Sequence, residues 1–211
     1  MGPEPASSPT SSPASSPAAL RSVCVFCGSS DDANPSYLAA AAHLGRLMAD
    51  ARLKLVYGGG GVGLMGAVAH GAHAAGGEVL GIIPTFLIGK ERALETVEHV
   101  VVGSMHERKM LMYDRSDAFV ILPGGIGTLE EVVELLSWRR LDLHSKPVVF
   151  WNPNGFWRTL FALFQHTVDE KLTPAAFMDA WTSVEAIEDV IPALEAATAP
   201  SHVGPSVARM T

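Results

Sequence analysis

Short apolar runs alternate along this chain with longer segments that carry apolar residues on one helical face. The short runs are rich in β-branched residues and predict strands at Val23–Cys27, Leu53–Tyr57, Val79–Ile83, Val97–Val102, Ala118–Leu122 and Val148–Trp151. The helical patterns lie at about Ser36–Ala51, Leu64–Ala75, Met105–Ser116, Thr128–Arg139, Phe156–Glu170 and Val184–Ala197. This alternation predicts βαβ units, so the expected fold class is α/β, with a doubly wound, mainly parallel sheet covered by helices on both faces.

The length and composition favour one folded domain between unstructured ends. At 211 residues the chain is long enough for one full core and short for two. Residues 1–19 are rich in Ser, Pro and Ala and cannot bury a core, so they predict a disordered extension. Residues 198–211 are similar and predict a flexible tail. The predicted domain therefore spans residues 20–197.

Charge and hydropathy argue against two classes of partner. The formal net charge is −7, and the basic pairs Arg108-Lys109 and Arg139-Arg140 are small. A nucleic acid polymer needs clustered Lys and Arg, so these pairs suit one or two phosphate groups of a small molecule better. No apolar run approaches the roughly 20 residues that span a bilayer, so no membrane partner is expected.

Two cysteines, Cys24 and Cys27, have the C-x-x-C spacing of some redox and zinc sites. Both fall in one predicted strand, where an odd separation directs side chains to opposite faces. The chain has no second cysteine pair to complete a tetrahedral metal site. We therefore expect a reduced, cytoplasmic protein.

The most informative segment joins a predicted strand to a predicted helix and reads Leu-Pro-Gly-Gly-Ile-Gly-Thr-Leu-Glu-Glu from Leu122 to Glu131. Free N–H groups at a helix start, and the positive end of the helix dipole, favour an anion. The glycines at 124, 125 and 127 have no Cβ atoms, so an oxygen-rich ligand can approach the main chain. We interpret this turn as a phosphate cradle with the Glu131 carboxylate one turn inside the helix.

A second glycine-rich turn, from Tyr57 to Gly66, contains a G-x-G-x-x-G motif between a strand and a helix. This motif raises a dinucleotide-binding alternative, which also needs an acidic residue at the end of the next strand to hold the ribose. Glu78 lies instead at the start of that strand, which argues against NAD. Tight turns and close helix–strand packing are the structural explanation for these glycines.

Glu131 has two interpretations that spacing alone does not separate. Thr128 and Glu131 match a capping box, in which Thr128 is the N-cap and Glu131 reaches back to its amide. The alternative is a catalytic carboxylate beside an anion site. The basic pair Arg108-Lys109 supports catalysis, because it precedes the strand that leads into the glycine turn, and Arg108 suits bidentate phosphate or carboxylate binding.

Three polar or glycine-rich turns follow predicted strands, at residues 28–30, 58–66 and 124–128. Ligands on parallel sheets bind beyond the carboxyl ends of the strands. We therefore predict that these three turns converge on one crevice.

With these residues identified, the chain closely resembles the LONELY GUY (LOG) family of cytokinin riboside 5′-monophosphate phosphoribohydrolases, historically mislabelled lysine decarboxylases. The family's P-G-G-x-G-T-x-x-E motif matches Pro123 to Glu131, and its upstream Arg-Lys element matches Arg108-Lys109. Similar segments lie at residues 23–30 (VCVFCGSS), 55–66 (LVYGGGGVGLMG) and 144–147 (HSKP). The likeness runs from about Val23 to beyond Leu172.

The resemblance implies a Rossmann-like fold, usually a homodimer, and a set of site residues. Arg108 and Glu131 match the family's catalytic pair. The substrate-binding positions match Glu91, Lys109, Gly124, Gly125, Ile126, Gly127, Thr128 and Glu130, with Glu91 aligned only across a one-residue gap. Ile126 stands where plant members often carry tyrosine, so the base preference is left open.

The implied reaction is hydrolysis of the N-glycosidic bond of a nucleoside 5′-monophosphate, which releases the free base and ribose 5-phosphate. The expected partner is therefore a small nucleotide, and neither a metal ion nor a redox cofactor is expected. Two alternatives remain: a general AMP or pyrimidine nucleotide nucleosidase, and a non-catalytic protein that binds a nucleotide or molybdenum cofactor.

Overall fold

The computed structural model describes residues 20–90 and 92–198 and contains a seven-stranded sheet. The strands are β1 Ser22–Phe26, β2 Lys54–Tyr57, β3 Val79–Pro84, β4 Glu98–Val102, β5 Ala118–Ile121, β6 Val148–Trp151 and β7 Thr182–Val184. They lie in the order β4-β3-β2-β1-β5-β6-β7, and every neighbouring pair is parallel. The buried, β-branched character of β1, β5 and β6 fits strands that are covered on both faces.

The helices are α1 Pro35–Asp50, α2 Gly63–Ala74, α3 Met105–Asp114, α4 Ile126–Arg140, α5 Arg158–Asp169 and α6 Val190–Thr198. Local sequence explains how several of them begin. Asn34 caps α1 by accepting a hydrogen bond from the Ser36 amide at 2.9 Å, and Ser104 caps α3 by accepting one from Glu107 at 3.1 Å. None of the described helices combines the length and apolar character needed to cross a membrane.

Two apolar cores cover the two faces of the sheet. Side chains from α1, α2 and α6 pack on one face, and side chains from α3, α4 and α5 pack on the other. Cys24 lies in the second core and Cys27 in the first, as predicted from their odd separation, and both are buried and form no disulfide. The doubly wound α/β fold predicted from the sequence is confirmed, and its sheet is parallel throughout the described residues.

The direction of winding reverses between β1 and β5. From β1 the chain builds the sheet outward through β2, β3 and β4, and it then returns to add β5, β6 and β7 on the other side of β1. Adjacent loops that follow β1 and β5 therefore diverge to opposite faces and leave a crevice between them. This switch point is where a doubly wound sheet binds its ligand.

The structure corrects three sequence predictions. Strand β7 was not predicted, because it has three residues and two of them are exposed. The helix predicted from Val184 begins at Val190, after a short 3₁₀ turn at Ile187–Asp189. The helix predicted from Thr128 begins earlier, at Ile126. The extension at 1–19, Glu91 and residues 199–211 lie outside the described residues, so the disorder predicted for the two ends stays a prediction.

Candidate active site

The three turns meet at the switch point, as predicted. The Gly28 amide, after β1, donates to the carbonyl oxygen of Pro123, after β5, at 3.1 Å. The amide of Leu64, at the start of α2, donates to the carbonyl oxygen of Gly28 at 3.0 Å. A Cβ atom at residue 28 would lie 3.3 Å from Gly124 Cα, closer than most Cβ contacts, so glycine favours this close approach. The main chain therefore ties all three turns into one wall.

A crevice of about 500 Å³ opens beside this wall. Its polar lining includes Arg108, Thr128, Glu130 and Glu131. Its apolar lining comes from Met65, Phe86, Leu87, Met105 and Ile126. The volume lies within the range of small-molecule pockets, about 300–1,000 Å³. One crevice thus offers both a charged end and an apolar surface.

The start of α4 is an open cluster of N–H donors. Gly125 is the N-cap and supplies no side-chain cap, and its carbonyl oxygen accepts from the amide of Leu129 at 3.0 Å. Within residues 20–90 and 92–198, no acceptor is found for the amides of residues 126–128. Cβ atoms added at Gly125 or Gly127 would meet nothing within 4 Å. This arrangement suits a phosphate, which supplies the missing acceptors and opposes the positive end of the helix dipole.

The capping-box interpretation of Glu131 is wrong. Since α4 begins at Ile126, Thr128 is the third residue of the helix rather than its N-cap. The Thr128 side chain is buried and fills the space above Gly124, where a Cβ atom would lie 2.1 Å from Thr128 Oγ1. Glu131 therefore lies one turn further inside the helix than a capping residue, partly exposed, in the lining of the crevice.

The start of α2, by contrast, is closed by the protein itself. The carboxylate of Asp31 accepts from the amide of Gly63 at 3.1 Å, and the carbonyl oxygen of Gly28 accepts from the next two amides at 3.0 and 3.3 Å. Asp31 also pairs with the guanidinium of Arg92. The G-x-G-x-x-G turn is thus filled at the position where a dinucleotide pyrophosphate would bind, which removes the NAD alternative.

Arg108 is buried beneath the crevice and is 4% exposed. Its Nε donates to the carbonyl oxygen of Ile82 at the end of β3 (3.1 Å), and its Nη2 donates to the carbonyl oxygen of Gly58 after β2 (2.8 Å). Gly58 must be a glycine, because a Cβ atom there would lie 2.0 Å from Arg108 Nη2. The guanidinium is therefore held by two strand ends while it lines the crevice.

The charges of Glu131 and Arg108 both shift the pKa of the buried Cys24 thiol. Burial raises the pKa of this thiol well above its ordinary value, the negative charge of Glu131 raises it further, and the positive charge of Arg108 lowers it in part. Both charges therefore act on one buried atom beneath the crevice. The thiol itself is fully buried and neutral, so it is not a candidate nucleophile.

Lys109 pairs with two glutamates of α4 and is not part of the crevice lining. Its ammonium pairs with Glu130 and lies 2.8 Å from Glu134, so it ties α3 to α4. Partial burial lowers its pKa, but the hydrogen bonds and charges of the two glutamates outweigh burial and raise the pKa above its ordinary value. Glu130 lines the crevice, whereas Glu91, the remaining candidate, lies outside the described residues.

Sequence reasoning missed the apolar wall of the crevice. Phe86 is 54% exposed and Met105 is 36% exposed, although both are large apolar side chains. A signal was available, since Phe86 follows Pro84 directly after a predicted strand, in the kind of loop that carries ligand contacts. No group of three or more His, Cys, Asp or Glu side chains in the described part of the chain is placed to hold a metal ion.

Comparison with known proteins identifies the family. A family model described as possible lysine decarboxylase matches residues 65–194. A probable cytokinin riboside 5′-monophosphate phosphoribohydrolase of Oryza sativa subsp. japonica is 48% identical over 180 residues, which cover 82% of this chain and 79% of that protein. The chain belongs to the LONELY GUY family.

A second plant relative supports this placement, and a solved structure supports the fold. A cytokinin riboside 5′-monophosphate phosphoribohydrolase of Arabidopsis thaliana is 46% identical over 151 residues, which cover 71% of this chain and 70% of that protein. The LONELY GUY fold of this chain is also similar to the molybdenum cofactor carrier protein of Chlamydomonas reinhardtii, with a TM-score of 0.65 and 23% identity. That match covers 84% of this chain and 98% of that structure. At this identity the likeness shows the fold alone.

Proposed function

We propose that this protein hydrolyses the N-glycosidic bond of a cytokinin riboside 5′-monophosphate, an N6-modified AMP, and releases the free base and ribose 5-phosphate. The observation that carries the proposal is the open N-terminus of α4 in the same crevice as Glu131 and the buried Arg108. The names of the plant relatives support the substrate class.

The 5′-phosphate binds at the start of α4. The amides of residues 126–128 supply hydrogen bonds, and the glycines at 125 and 127 leave room for the phosphate oxygens. The phosphate is remote from the bond that breaks, so its binding energy orients the ribose and favours the transition state without reacting.

Glu131 acts at the reacting carbon. Cleavage of the bond between C1′ and the base builds positive charge on the ribose, as in glycoside hydrolysis. An anionic Glu131 near C1′ stabilises that charge, and it also orients or deprotonates the attacking water. Water adds to C1′, the base leaves with the bonding electrons and takes up a proton, and ribose 5-phosphate results.

Arg108 places a positive charge at a fixed position in the crevice. Its guanidinium is fixed by carbonyl oxygens from two strand ends, so its position costs little further ordering when the substrate binds. From this position it holds the phosphate, orients Glu131, or does both.

Lys109, which borders the site, does not support lysine decarboxylation. A catalytic lysine that forms a Schiff base needs a neutral amine. The ammonium of Lys109 is instead paired with Glu130 and Glu134, which keep its pKa above the ordinary value.

We also propose that the protein is a cytoplasmic homodimer. The two reduced cysteines fit a cytoplasmic protein, and the family usually forms dimers. Leu141 and Leu143, which follow α4, are 56% and 66% exposed, and a partner copy would cover such side chains. Sizing at micromolar concentration checks this proposal, and a monomer alone would remove it.

The decisive experiment is chromatography of the protein incubated with N6-isopentenyladenosine 5′-monophosphate, with its unphosphorylated riboside, and with AMP. We expect free isopentenyladenine from the monophosphate and none from the riboside. Equal cleavage of AMP would favour a general nucleotide nucleosidase. Tight binding without release of base, or a pterin retained on purification, would favour a binding protein.

Glu131→Gln tests the catalytic assignment in the same assay. The amide keeps the shape of the side chain and removes its charge, so we expect kcat to fall by roughly 10²–10⁴-fold with an unchanged melting temperature. Glu95→Gln, at an exposed position outside the crevice, is the matched control. A Glu131→Gln variant with wild-type turnover would show that the catalytic assignment is wrong.

A further inference from the structure

His99 joins the edge of the sheet to the turn that holds Arg108. It lies on β4, half-buried, and its Nδ1 is 3.0 Å from the carbonyl oxygen of Val97. Its Nε2 is 3.1 Å from the carbonyl oxygen of Gly59, in the turn that follows β2. Since β3 lies between β4 and β2, the imidazole ring reaches across one whole strand.

Two glycines make room for this ring. Gly81 is the β3 residue paired with His99, and a Cβ atom added there would lie 2.6 Å from ring atoms Cδ2 and Nε2. A Cβ atom at Gly59 would lie 3.3 Å from Cδ2, and Gly59 has a φ of +82°, which side chains rarely adopt. The ring therefore occupies a slot that other residues at 59 or 81 would fill.

Both ring nitrogens face hydrogen-bond acceptors. A carbonyl oxygen carries lone pairs and no proton, so each contact requires an N–H on the ring. A neutral imidazole has one N–H and one lone pair, and it would turn that lone pair toward a carbonyl oxygen. The contact between His99 and the carbonyl oxygen of Gly59 therefore requires a proton on Nε2.

The contact at Gly59 is one peptide away from the contact that holds Arg108. The carbonyl oxygen of Gly58 accepts from Arg108 Nη2 at 2.8 Å, and the next carbonyl oxygen along the chain accepts from His99. A shift of the turn that loses the second hydrogen bond also displaces the first. The position of the Arg108 guanidinium therefore depends on the contact between His99 and Gly59.

Within the described residues, no charged side chain pairs with the His99 ring, whose contacts are the two carbonyl oxygens. Strand β3 carries no titratable side chain. Glu98 points to the opposite face of β4 and pairs with Lys54, the charged residue of β2. On the loop that leads into β4, Arg92 pairs with Asp31, and Glu95 is exposed. Arg108 of α3 contributes the charge that contacts the Gly58–Gly59 turn.

We propose that His99 is a positioning residue for Arg108. Its Nε2–H donates to the carbonyl oxygen of Gly59 and holds the Gly58–Gly59 turn against β4, and this turn holds the Arg108 guanidinium. The effect on turnover rests on the proposed function, whereas the effect on the Arg108 side chain does not.

The test compares His99→Gln with His70→Gln, a control at an exposed histidine of α2. Glutamine keeps an N–H donor but lacks the rigid ring that fills the slot beside Gly59 and Gly81. We expect His99→Gln to lower kcat roughly tenfold, short of the 10²-fold loss that a misplacement of 1 Å can cause, with KM within about twofold. His70→Gln matches the wild type.

Nuclear magnetic resonance of ¹⁵N-labelled protein detects the position of Arg108 without turnover. We expect the Nε–H signal of Arg108 to shift in His99→Gln relative to the wild type and to stay in place in His70→Gln. An unchanged Arg108 signal in folded His99→Gln overturns the proposal, as does a wild-type kcat in that variant. If no nucleotide is cleaved but the Arg108 signal shifts in His99→Gln alone, the proposed function fails and the positioning role stands.

Discussion

The two glycine-rich turns of this protein have similar sequences and opposite states. Each follows a strand of the parallel sheet and begins a helix, α2 in one case and α4 in the other. At α2 the Asp31 carboxylate and the carbonyl oxygen of Gly28 accept hydrogen bonds from the first amides of the helix. At α4 no described group accepts from the amides of residues 126–128. A ligand that brings its own negative charge has a place at α4 and none at α2.

This difference teaches that glycine content alone does not mark an anion site. At α2 glycines serve close packing, since a Cβ atom at Gly66 would lie 2.3 Å from the carbonyl oxygen of Gly61. At α4 the glycines at 125 and 127 have open space beside them. The decisive property is whether the helix start has donors without acceptors, and that property depends on side chains far away in the sequence.

Among changes to the two turns, the largest predicted effect comes from closing the open one. Gly125→Asp places a carboxylate at the N-cap of α4, where φ is −99° and an added Cβ atom meets nothing within 4 Å. An N-cap aspartate accepts from the first-turn amides and is more stable than glycine by about a few tenths of a kcal/mol. It also repels a phosphate, so we expect kcat/KM for the nucleotide to fall roughly 100-fold while the melting temperature holds or rises.

Gly125→Asn separates charge from capping. Asparagine caps about as well as aspartate but carries no charge, so we expect a loss of about tenfold rather than 100-fold. Steady-state kinetics and thermal unfolding of both variants measure the two effects. If Gly125→Asp binds and cleaves the nucleotide as the wild type does, the phosphate does not bind at α4.

The second predicted effect comes from opening the closed turn. Asp31→Ala removes the carboxylate that accepts from the Gly63 amide, and loss of such a cap costs about 1 kcal/mol. For a domain of this size we expect the melting temperature to fall by about 2–4 °C. Since α2 is not proposed to bind the phosphate, kcat/KM should change by less than about threefold.

Asp32→Ala is the matched control for this variant, because Asp32 is exposed and its side chain makes no described hydrogen bond or ion pair. It should leave both the melting temperature and the kinetics unchanged. A loss of 10²-fold in kcat/KM for folded Asp31→Ala would mean that the α2 turn belongs to the binding site.

These two turns also show how far sequence reasoning reaches in this fold. Hydrophobic periodicity predicted six of the seven strands, because buried parallel strands are continuous apolar runs. It predicted the convergence of the three turns, since that follows from parallel topology. It did not reveal that Asp31 closes α2, because the contact joins residues 32 positions apart and depends on the path of a loop.

The start of α4 was misplaced for a local reason. Thr128 followed by Glu131 fits a capping box, but two glycines upstream allow the helix to begin at Ile126, and the Thr128 side chain then packs above Gly124. The burial of Arg108 was also beyond the sequence. Its partners are carbonyl oxygens of β3 and of the turn after β2. Every residue has a main-chain carbonyl oxygen, so the sequence does not show which of them accept these hydrogen bonds.

The smallest predicted effect concerns the rim of the open turn. Ile126, the first residue of α4, is 84% exposed and lines the crevice. Ile126→Tyr adds an aromatic edge beside the apolar wall of Phe86 and Met105, and aromatic contacts of this kind are worth about 0.5–1.5 kcal/mol. We therefore expect the preference for N6-isopentenyladenosine 5′-monophosphate over AMP, as a ratio of kcat/KM values, to rise about 2–10-fold. Because the side chain is at the surface, the melting temperature should not change.

Ile88→Tyr, at an exposed position outside the crevice lining, is the control. An equal change for both nucleotides would place Ile126 beside the shared ribose phosphate rather than the base, and the open turn would then bind substrate without selecting it.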